Sequence, residues 1–282
     1  YDAINSLLIK NKILAPKLYS ESYKKDFIEI EDFGNNTVFS LLRKKKSDKI
    51  NLYKKSIDLL IKIQKIKKNN TKNFKGKNYK IPFYNNEKLF VEAKLFLDWY
   101  AKKYVSKDKK LKCNIEIKKQ IKFLLSKLKL KNNIFVHRDF HVSNLIKYKK
   151  QLATIDTQDA VIGNGAYDLA SLIDDVRFKS SKEFKDHIYN YYLKLNKKKF
   201  NQNVLKNDFE ILSVLRNMKI IGIFTRLAVR DKKKIYLKLI PYTWRLIELR
   251  IKDNKIFDDL KKVLDFNFSK EIRNLKWKLI QH

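Results

Sequence analysis

Three oxygen-bearing side chains stand at spacings that suit phosphoryl transfer. Asp139 follows the short apolar run Asn133–Val136, Asn144 comes five residues later, and Asp156 comes seventeen residues after Asp139. One carboxylate can orient an attacking hydroxyl and accept its proton. An amide oxygen and a second carboxylate are hard donors for Mg2+. Leu145–Tyr148 and Leu152–Ile155 read as strands around the turn Lys149-Lys150-Gln151. A hairpin of that length would return Asp156 to the side of Asn144. The chemistry alone reaches a Mg-dependent kinase of a small hydroxylated substrate.

Neighbouring residues offer competing chemistries, each weaker. His137 and His141 have the spacing of a zinc pair, but Arg138 stands where a metalloprotease helix needs glutamate, and the preceding run reads as strand into loop. Gly163-Asn164-Gly165 is half of a phosphate-loop pattern and reads as a turn before the helix that carries Tyr167 and Asp168. Ser143 has no triad partners in view. Asp159 either touches the substrate or caps the next segment. Arg226 and Arg230 share a helical face, where they either steady an acidic group of the substrate or make salt bridges. His187 and His282 read as surface residues.

The elements that must position these groups are mostly helical. With five glycines and three prolines, punctuation is sparse. Residues 3–10 end a helix, and Lys17–Ser22 with Asp26–Glu31 read as a hairpin. Asp32-Phe33-Gly34-Asn35-Asn36 is a turn signal. A helix over 48–68 presents Ile57, Leu60, Ile61 and Gln64 on one face. Asn69–Asn86 reads as a polar loop. Glu87–Tyr104 reads as one helix with the stripe Phe90, Ala93, Leu97, Tyr100, Ala101 and Tyr104, read as core. Another helix follows over 114–130, and the pattern is helical from Ala166 onward, with a buried helix over Phe209–Val229.

Composition narrows the class. An apolar fraction of 44% supports a sizeable core, so the charge does not mark a disordered chain. The formal charge is +35, carried by 56 lysines and only nine arginines. Specific nucleic-acid readers favour arginine, and here lysine is spread along the whole chain, so a solvated coat is the better reading than a nucleic-acid surface. One cysteine, Cys113, excludes an intrachain disulfide and fits a cytoplasmic setting. No apolar run approaches the ~18 residues a membrane span needs.

His137-Arg138-Asp139 with Asn144, followed by Ile155-Asp156, resembles the catalytic signature shared by protein kinases and aminoglycoside phosphotransferases. The resemblance implies Asp139 as catalytic base, supported by His137 and Arg138, with Asn144 and Asp156 as metal ligands. Asp168 corresponds to a buried aspartate that fixes the catalytic loop. Asp156 is followed by Thr157-Gln158-Asp159, and the Tyr167 helix begins about ten residues on. That leaves no room for the activation segment of a peptide kinase. The words His-Arg-Asp-Phe-His-Val-Ser-Asn-Leu, Ile-Asp-Thr-Gln-Asp-Ala and Tyr-Asp-Leu-Ala-Ser-Leu resemble the anomeric amino-sugar kinases of this family. So does the run from Lys219 to Asp231. That implies ATP and Mg2+ as cofactors and an N-acetylmuramate or N-acetylglucosamine acceptor, contacted by Asp159, His141, Arg226 and Arg230. Kinases of choline or aminoglycosides, and a non-enzymatic basic module, are the alternatives. Thr157 departs from the aromatic that such kinases carry there, so packing behind Asp156 should differ. Glu29, Ile30 and Glu31 resemble the adenine-binding hinge. The implied fold is an α+β, protein-kinase-like two-lobe architecture. Because the chain opens at Tyr1, residues 1–34 are expected to be a truncated N-lobe and hinge, and 35–282 a helical C-lobe.

Overall fold

The computed structural model describes residues 1–25 and 27–275. Asp26, expected in the second strand, and His282 lie outside the described residues; His187 is exposed. In chain order, α1 (Asp2–Lys10) leads to an antiparallel hairpin, β1 (Leu18–Ser22) and β2 (Phe27–Ile30), then α2 (Val38–Leu42) and α3 (Lys49–Gln64). A small hairpin follows, β3 (Asn70–Lys72) and β4 (Asn78–Lys80), then α4 (Asn86–Ala93), a π-helical turn Phe96–Ala101, the short α5 (Lys102–Tyr104), and α6 (Lys107–Ser126). The middle of the chain holds β5 (Asn132–Val136), β6 (Leu145–Tyr148), β7 (Gln151–Thr154) and β8 (Val161–Asn164). After it come α7 (Ala166–Ile173), α8 (Lys182–Leu195), α9 (Gln202–Val229), α10 (Ile240–Ile251), α11 (Asp258–Asn267) and α12 (Lys270–Arg273). No helix among the described residues is long and apolar enough to cross a membrane.

Contacts divide the chain into two compact units. The first contains Tyr1–Tyr84 and Leu130–Leu205, and the second Asn85–Lys129 with the chain from Lys206 onward. Residues 1–34 thus cluster with the segment that carries Asp139, Asn144 and Asp156.

In the first unit, α3 begins where the Asp48 carboxylate accepts the Asn51 amide at 2.9 Å, capping an otherwise orphaned donor. Its inner face buries Tyr53, Ile57, Leu60 and Gln64. Ile61 sits beside that face and is only half-buried. Burial of a side chain such as Ile57 contributes about 1.5–3 kcal/mol. Gln64 is buried but satisfied: its amide donates to the Gly165 carbonyl at 2.8 Å and its oxygen accepts from the Tyr192 hydroxyl at 2.6 Å.

Two readings of this unit need correction. Asn69–Asn86 contains the β3–β4 hairpin, closed by a turn in which Gly76 has φ +75°. Its strands are three polar residues each, too short to show alternation. Gly163 is not in a turn. It lies in β8, opposite Ile134 of β5, where an added Cβ would stand 3.1 Å from Cβ of Tyr84. The glycine permits that close approach, which a Gly-x-Gly pattern alone does not distinguish from a turn.

In the second unit, the expected single helix over Glu87–Tyr104 is interrupted. The π turn inserts one residue per turn, so Leu89 and Phe96 are buried while Phe90 is only half-buried. The cause lies in α9. At Gly222 an added Cβ would stand 2.3 Å from the Leu95 carbonyl carbon. Two backbones meet there with nothing between them. Phe96, Tyr100, Trp244 and Phe268 form a buried aromatic cluster beside it, with ring centroids 5.2–5.8 Å apart. α6 starts at Lys107, earlier than the apolar pattern after residue 114 suggested.

Candidate active site

The β5 strand delivers the chain into the loop that begins at His137, and β8 pairs along it from Val136↔Val161 to Asn132↔Asn164. Two buried carboxylates then set the loop's path. Asp168, fully buried on α7, accepts the backbone amides of His137 at 2.6 Å and Arg138 at 3.0 Å. Asp175, also fully buried, accepts the amide of Val142 at 3.1 Å and is itself held by Arg177 through a backbone amide at 3.0 Å and Nη1 at 3.2 Å. Arg138 adopts φ +72°, a left-handed conformation that costs an arginine about 1–2 kcal/mol. The bond from its own amide to Asp168 offsets that cost and turns the chain so that Asp139 follows at the bend.

Inside the loop, Asn144 Nδ2 donates to the Asp139 carbonyl at 3.1 Å and lies 3.3 Å from Asp156 Oδ2. The hairpin register explains the second contact. Leu145 pairs with Thr154 at the open end, and the Ile155 amide donates to the Asn144 carbonyl at 3.0 Å. The residues flanking the hairpin therefore emerge together. Asp156 has φ +62° and is exposed, and its other oxygen accepts from Gln158 Nε2 at 2.8 Å. In this arrangement the Asn144 amide nitrogen, not its oxygen, faces Asp156.

His137 is fully buried, with Nε2 2.7 Å from the Thr154 hydroxyl. Burial pushes its pKa down, and the negative charges of Asp139 and Asp156 act in the opposite sense. His137 is thus near both carboxylates, and through Thr154 it links the loop to β7. His141 is buried on the same loop, not on a helix, and no group of three or more His, Cys, Asp or Glu side chains able to hold a metal occurs among the described residues. A magnesium ion carried in on phosphates needs only one or two protein oxygens, so a site of fewer than three such side chains does not speak against one.

Arg138 reaches across to Asp159. Its Nη1 is 3.3 Å from the Asp159 carbonyl and 3.7 Å from the carboxylate, and its guanidinium lies 5.2 Å from the centre of the Tyr84 ring. Asp159 itself is largely exposed. Glu29, Ile30 and Glu31 run along β2 and its exit. Glu29 accepts from the Ser20 hydroxyl at 2.9 Å, Ile30 pairs with Leu18, and the Glu31 amide donates to the Lys17 carbonyl at 2.9 Å. Two residues on, Phe33 packs with Ile146 and Ala153 of the β6–β7 hairpin, so this segment and the Asn144–Asp156 hairpin share one apolar cluster. Arg226 and Arg230 belong to the second unit. Arg226 Nε is buried without a hydrogen-bond partner among the described residues, and Arg230 is engaged by Asp231 through bonds of 2.7 and 3.1 Å.

Four contributors were not legible as site residues in the sequence. Asp175 followed an apolar run without any spacing to mark it. Thr154 is an ordinary strand residue until it faces His137. Gln158 is visible only through its bond to Asp156. Asn5 accepts a short hydrogen bond from the buried Thr157 hydroxyl, and its amide donates to the Pro16 carbonyl at 2.8 Å. That buried polar pair backs Asp156, where an aromatic was the reference.

The phosphotransferase enzyme family (APH) matches residues 17–201. This chain belongs to that family. Its fold is the protein-kinase-like α+β fold of such kinases. A choline/ethanolamine kinase family protein from Mesorhizobium loti superposes with a TM-score of 0.60 at 10% identity, covering 94% of this chain and 82% of that one. Among characterised relatives, the N-acetylmuramate/N-acetylglucosamine kinase of Neisseria meningitidis serogroup B is 28% identical over 222 residues, 76% of this chain and 64% of the relative. The enzyme of the same name from Pseudomonas aeruginosa is 26% identical over 254 residues, 88% of this chain and 72% of the relative. The chain therefore spans about two thirds of the length of the relatives it matches.

Proposed function

We propose that this phosphotransferase moves the γ-phosphate of ATP, with Mg2+, to the anomeric hydroxyl of N-acetylmuramate or N-acetylglucosamine, a step in cell-wall sugar recycling. The observation that carries the kinase part is the meeting of Asn144 and Asp156, within 3.3 Å of each other, on the loop that presents Asp139. The sugar part rests on the relatives' names and the similarity to them.

Asp139 orients the acceptor hydroxyl and takes its proton as the new oxygen–phosphorus bond forms and the bond to ADP breaks. The Asp156 carboxylate would hold the metal, joined by the Asn144 side-chain oxygen once the amide turns from its present bond to Asp156, an all-oxygen pair suited to a hard cation. When bound, the metal neutralises charge that develops on the phosphate oxygens. Asp168 and Asp175 hold the loop backbone, and His137 keeps it against β7 through Thr154. Arg138, fastened to Asp159 and Tyr84, shapes the rim, where Asp159 and His141 are the proposed sugar contacts. Arg226 and Arg230 belong to the second unit and are given no part in this site. The β2 exit at Glu29–Glu31, tied to the hairpin through Phe33, is proposed to take adenine.

The test is a labelled-ATP assay on a panel of N-acetylmuramate, N-acetylglucosamine, choline and an aminoglycoside. Asp139→Asn is expected to lower kcat by about 10²–10⁴ while sparing ATP binding. Asp156→Ala is expected to abolish Mg-dependent nucleotide affinity. Near-normal turnover in both variants rejects the assignment, and turnover of choline or the aminoglycoside in preference to both sugars rejects the acceptor.

A further inference from the structure

The turn end of the β6–β7 hairpin, opposite the end that carries Asn144 and Asp156, borders a cavity of about 290 Å3 in the first unit. Five lysines line it: Lys147 and Lys150 from the hairpin, Lys44 and Lys46 from the loop between α2 and α3, and Lys55 from α3. All five are exposed, and none is in an ion pair among the described residues. Acid does not balance them. The one carboxylate in the wall, Asp48, is committed to capping α3. A smaller cavity shares Lys55 and Lys150 and adds Lys12 and Lys62, and its single carboxylate, Asp58, accepts the Tyr191 hydroxyl at 2.9 Å. Independent of charge, the Ser47 hydroxyl in the wall is buried and has no hydrogen-bond partner among the described residues. A buried hydroxyl without a partner is rare and marks a place where a ligand or water completes the bonding.

We propose that this cavity binds a small organic phosphate at a site separate from the Asp139 loop. The lysines supply point charges to the phosphate. The Ser47 hydroxyl and the side-chain amide of Asn51 supply neutral donors. The apolar wall of Leu41, Leu52 and Leu152 takes the organic body. A volume of about 290 Å3 fits one group of sugar-phosphate size. The lysine-only charge lacks the arginine forks of a nucleic-acid reader. A ligand fastened to Lys147 and Lys150 also steadies the hairpin that presents Asn144 and Asp156.

The test is calorimetric titration of the full chain in EDTA, without nucleotide, using glucose 1-phosphate and inorganic pyrophosphate as probes. Binding of at least one probe is expected. The triple variant Lys44→Gln/Lys55→Gln/Lys150→Gln should weaken it by about 8- to 27-fold, each exposed charge being worth a factor of roughly two to three. Ser47→Ala should weaken it several-fold, and Asp156→Ala should leave it unchanged. Circular dichroism checks that the triple variant is folded; were it not, Lys150→Gln alone must weaken binding. No binding of either probe, equal binding by the lysine variants, or loss of binding in Asp156→Ala overturns the proposal. So does a single-stranded oligonucleotide that binds more tightly than both probes and loses its affinity in the triple variant.

Discussion

Replacing Asp168 by asparagine isolates the contribution of one buried carboxylate to the loop that carries Asp139. Asp168 accepts two backbone amides, from His137 at 2.6 Å and Arg138 at 3.0 Å. A hydrogen bond to a charged group contributes about 1.5–3 kcal/mol, and a buried donor left without a partner costs about 1–3 kcal/mol. Asparagine keeps one acceptor and turns an NH2 toward the other donor. One charged bond disappears and two donors face each other, for a loss of roughly 3–5 kcal/mol. Against a total stability of about 5–15 kcal/mol this is large, and at about 2–4 °C per kcal/mol it lowers Tm by roughly 6–20 °C. The assay is urea unfolding followed by circular dichroism, with Asp186→Asn as control. Asp186 pairs with Lys182 on the surface of α8, where a change of at most about 1 kcal/mol is expected. A loss under about 1 kcal/mol in Asp168→Asn would show that the loop path is set by something other than this carboxylate.

Three further outcomes follow from packing and charge. Gly222→Ala places a Cβ 2.3–2.6 Å from backbone atoms of Leu95 and Phe96, which no rotamer change relieves. The helix-propensity gain of about 1 kcal/mol is outweighed, so Tm should fall, and a Tm equal to or above that of the parent refutes the close approach. His137 has its pKa lowered by burial, so between its folded value and about 6.5 the unfolded chain binds the extra proton. Its share of stability is therefore complete above about pH 6.5 and lost on acidification, by at most ~1.4 kcal/mol per pH unit, and the slope of urea stability against pH between wild type and His137→Gln reads it directly. Cys113 is buried and its thiol is pushed up to about 11, so a thiol reagent at pH 8 should label it only after denaturation; rapid labelling of the folded chain would contradict its burial.

The helices and the β6–β7 hairpin were legible because their signals are local. Lys149-Lys150-Gln151 between two apolar stretches marks the turn, though Gln151 already belongs to β7, and the Ile57/Leu60/Gln64 spacing marks α3, with Ile61 only half-buried. What escaped depended on partners distant in sequence. Gly163 looked like turn punctuation because its neighbour Tyr84 is 79 residues away in the chain. The break after Ala93 is imposed by Gly222 on another helix, and no periodicity within Glu87–Tyr104 announces it. Asp175 and Thr154 acquire their roles only once the loop has folded onto them.

The same distinction explains how the candidate site is built. The spacing of Asn144 and Asp156 is set locally by a hairpin whose strands are each four residues long, which brings the two side chains together at its open end. The position of Asp139 has no such local guarantee. It follows a left-handed arginine, and its loop is held by carboxylates from two points beyond β8, Asp168 and Asp175. Damage to those buried carboxylates should therefore move the proposed base away from an intact Asn144–Asp156 pair. In kinetic terms, Asp175→Asn should depress kcat while leaving the KM for Mg-ATP close to normal, whereas a substitution within the hairpin should do the reverse. Equal effects of both on the two constants would mean that loop and hairpin move as one body, and the division of labour argued from their hydrogen bonds would be wrong.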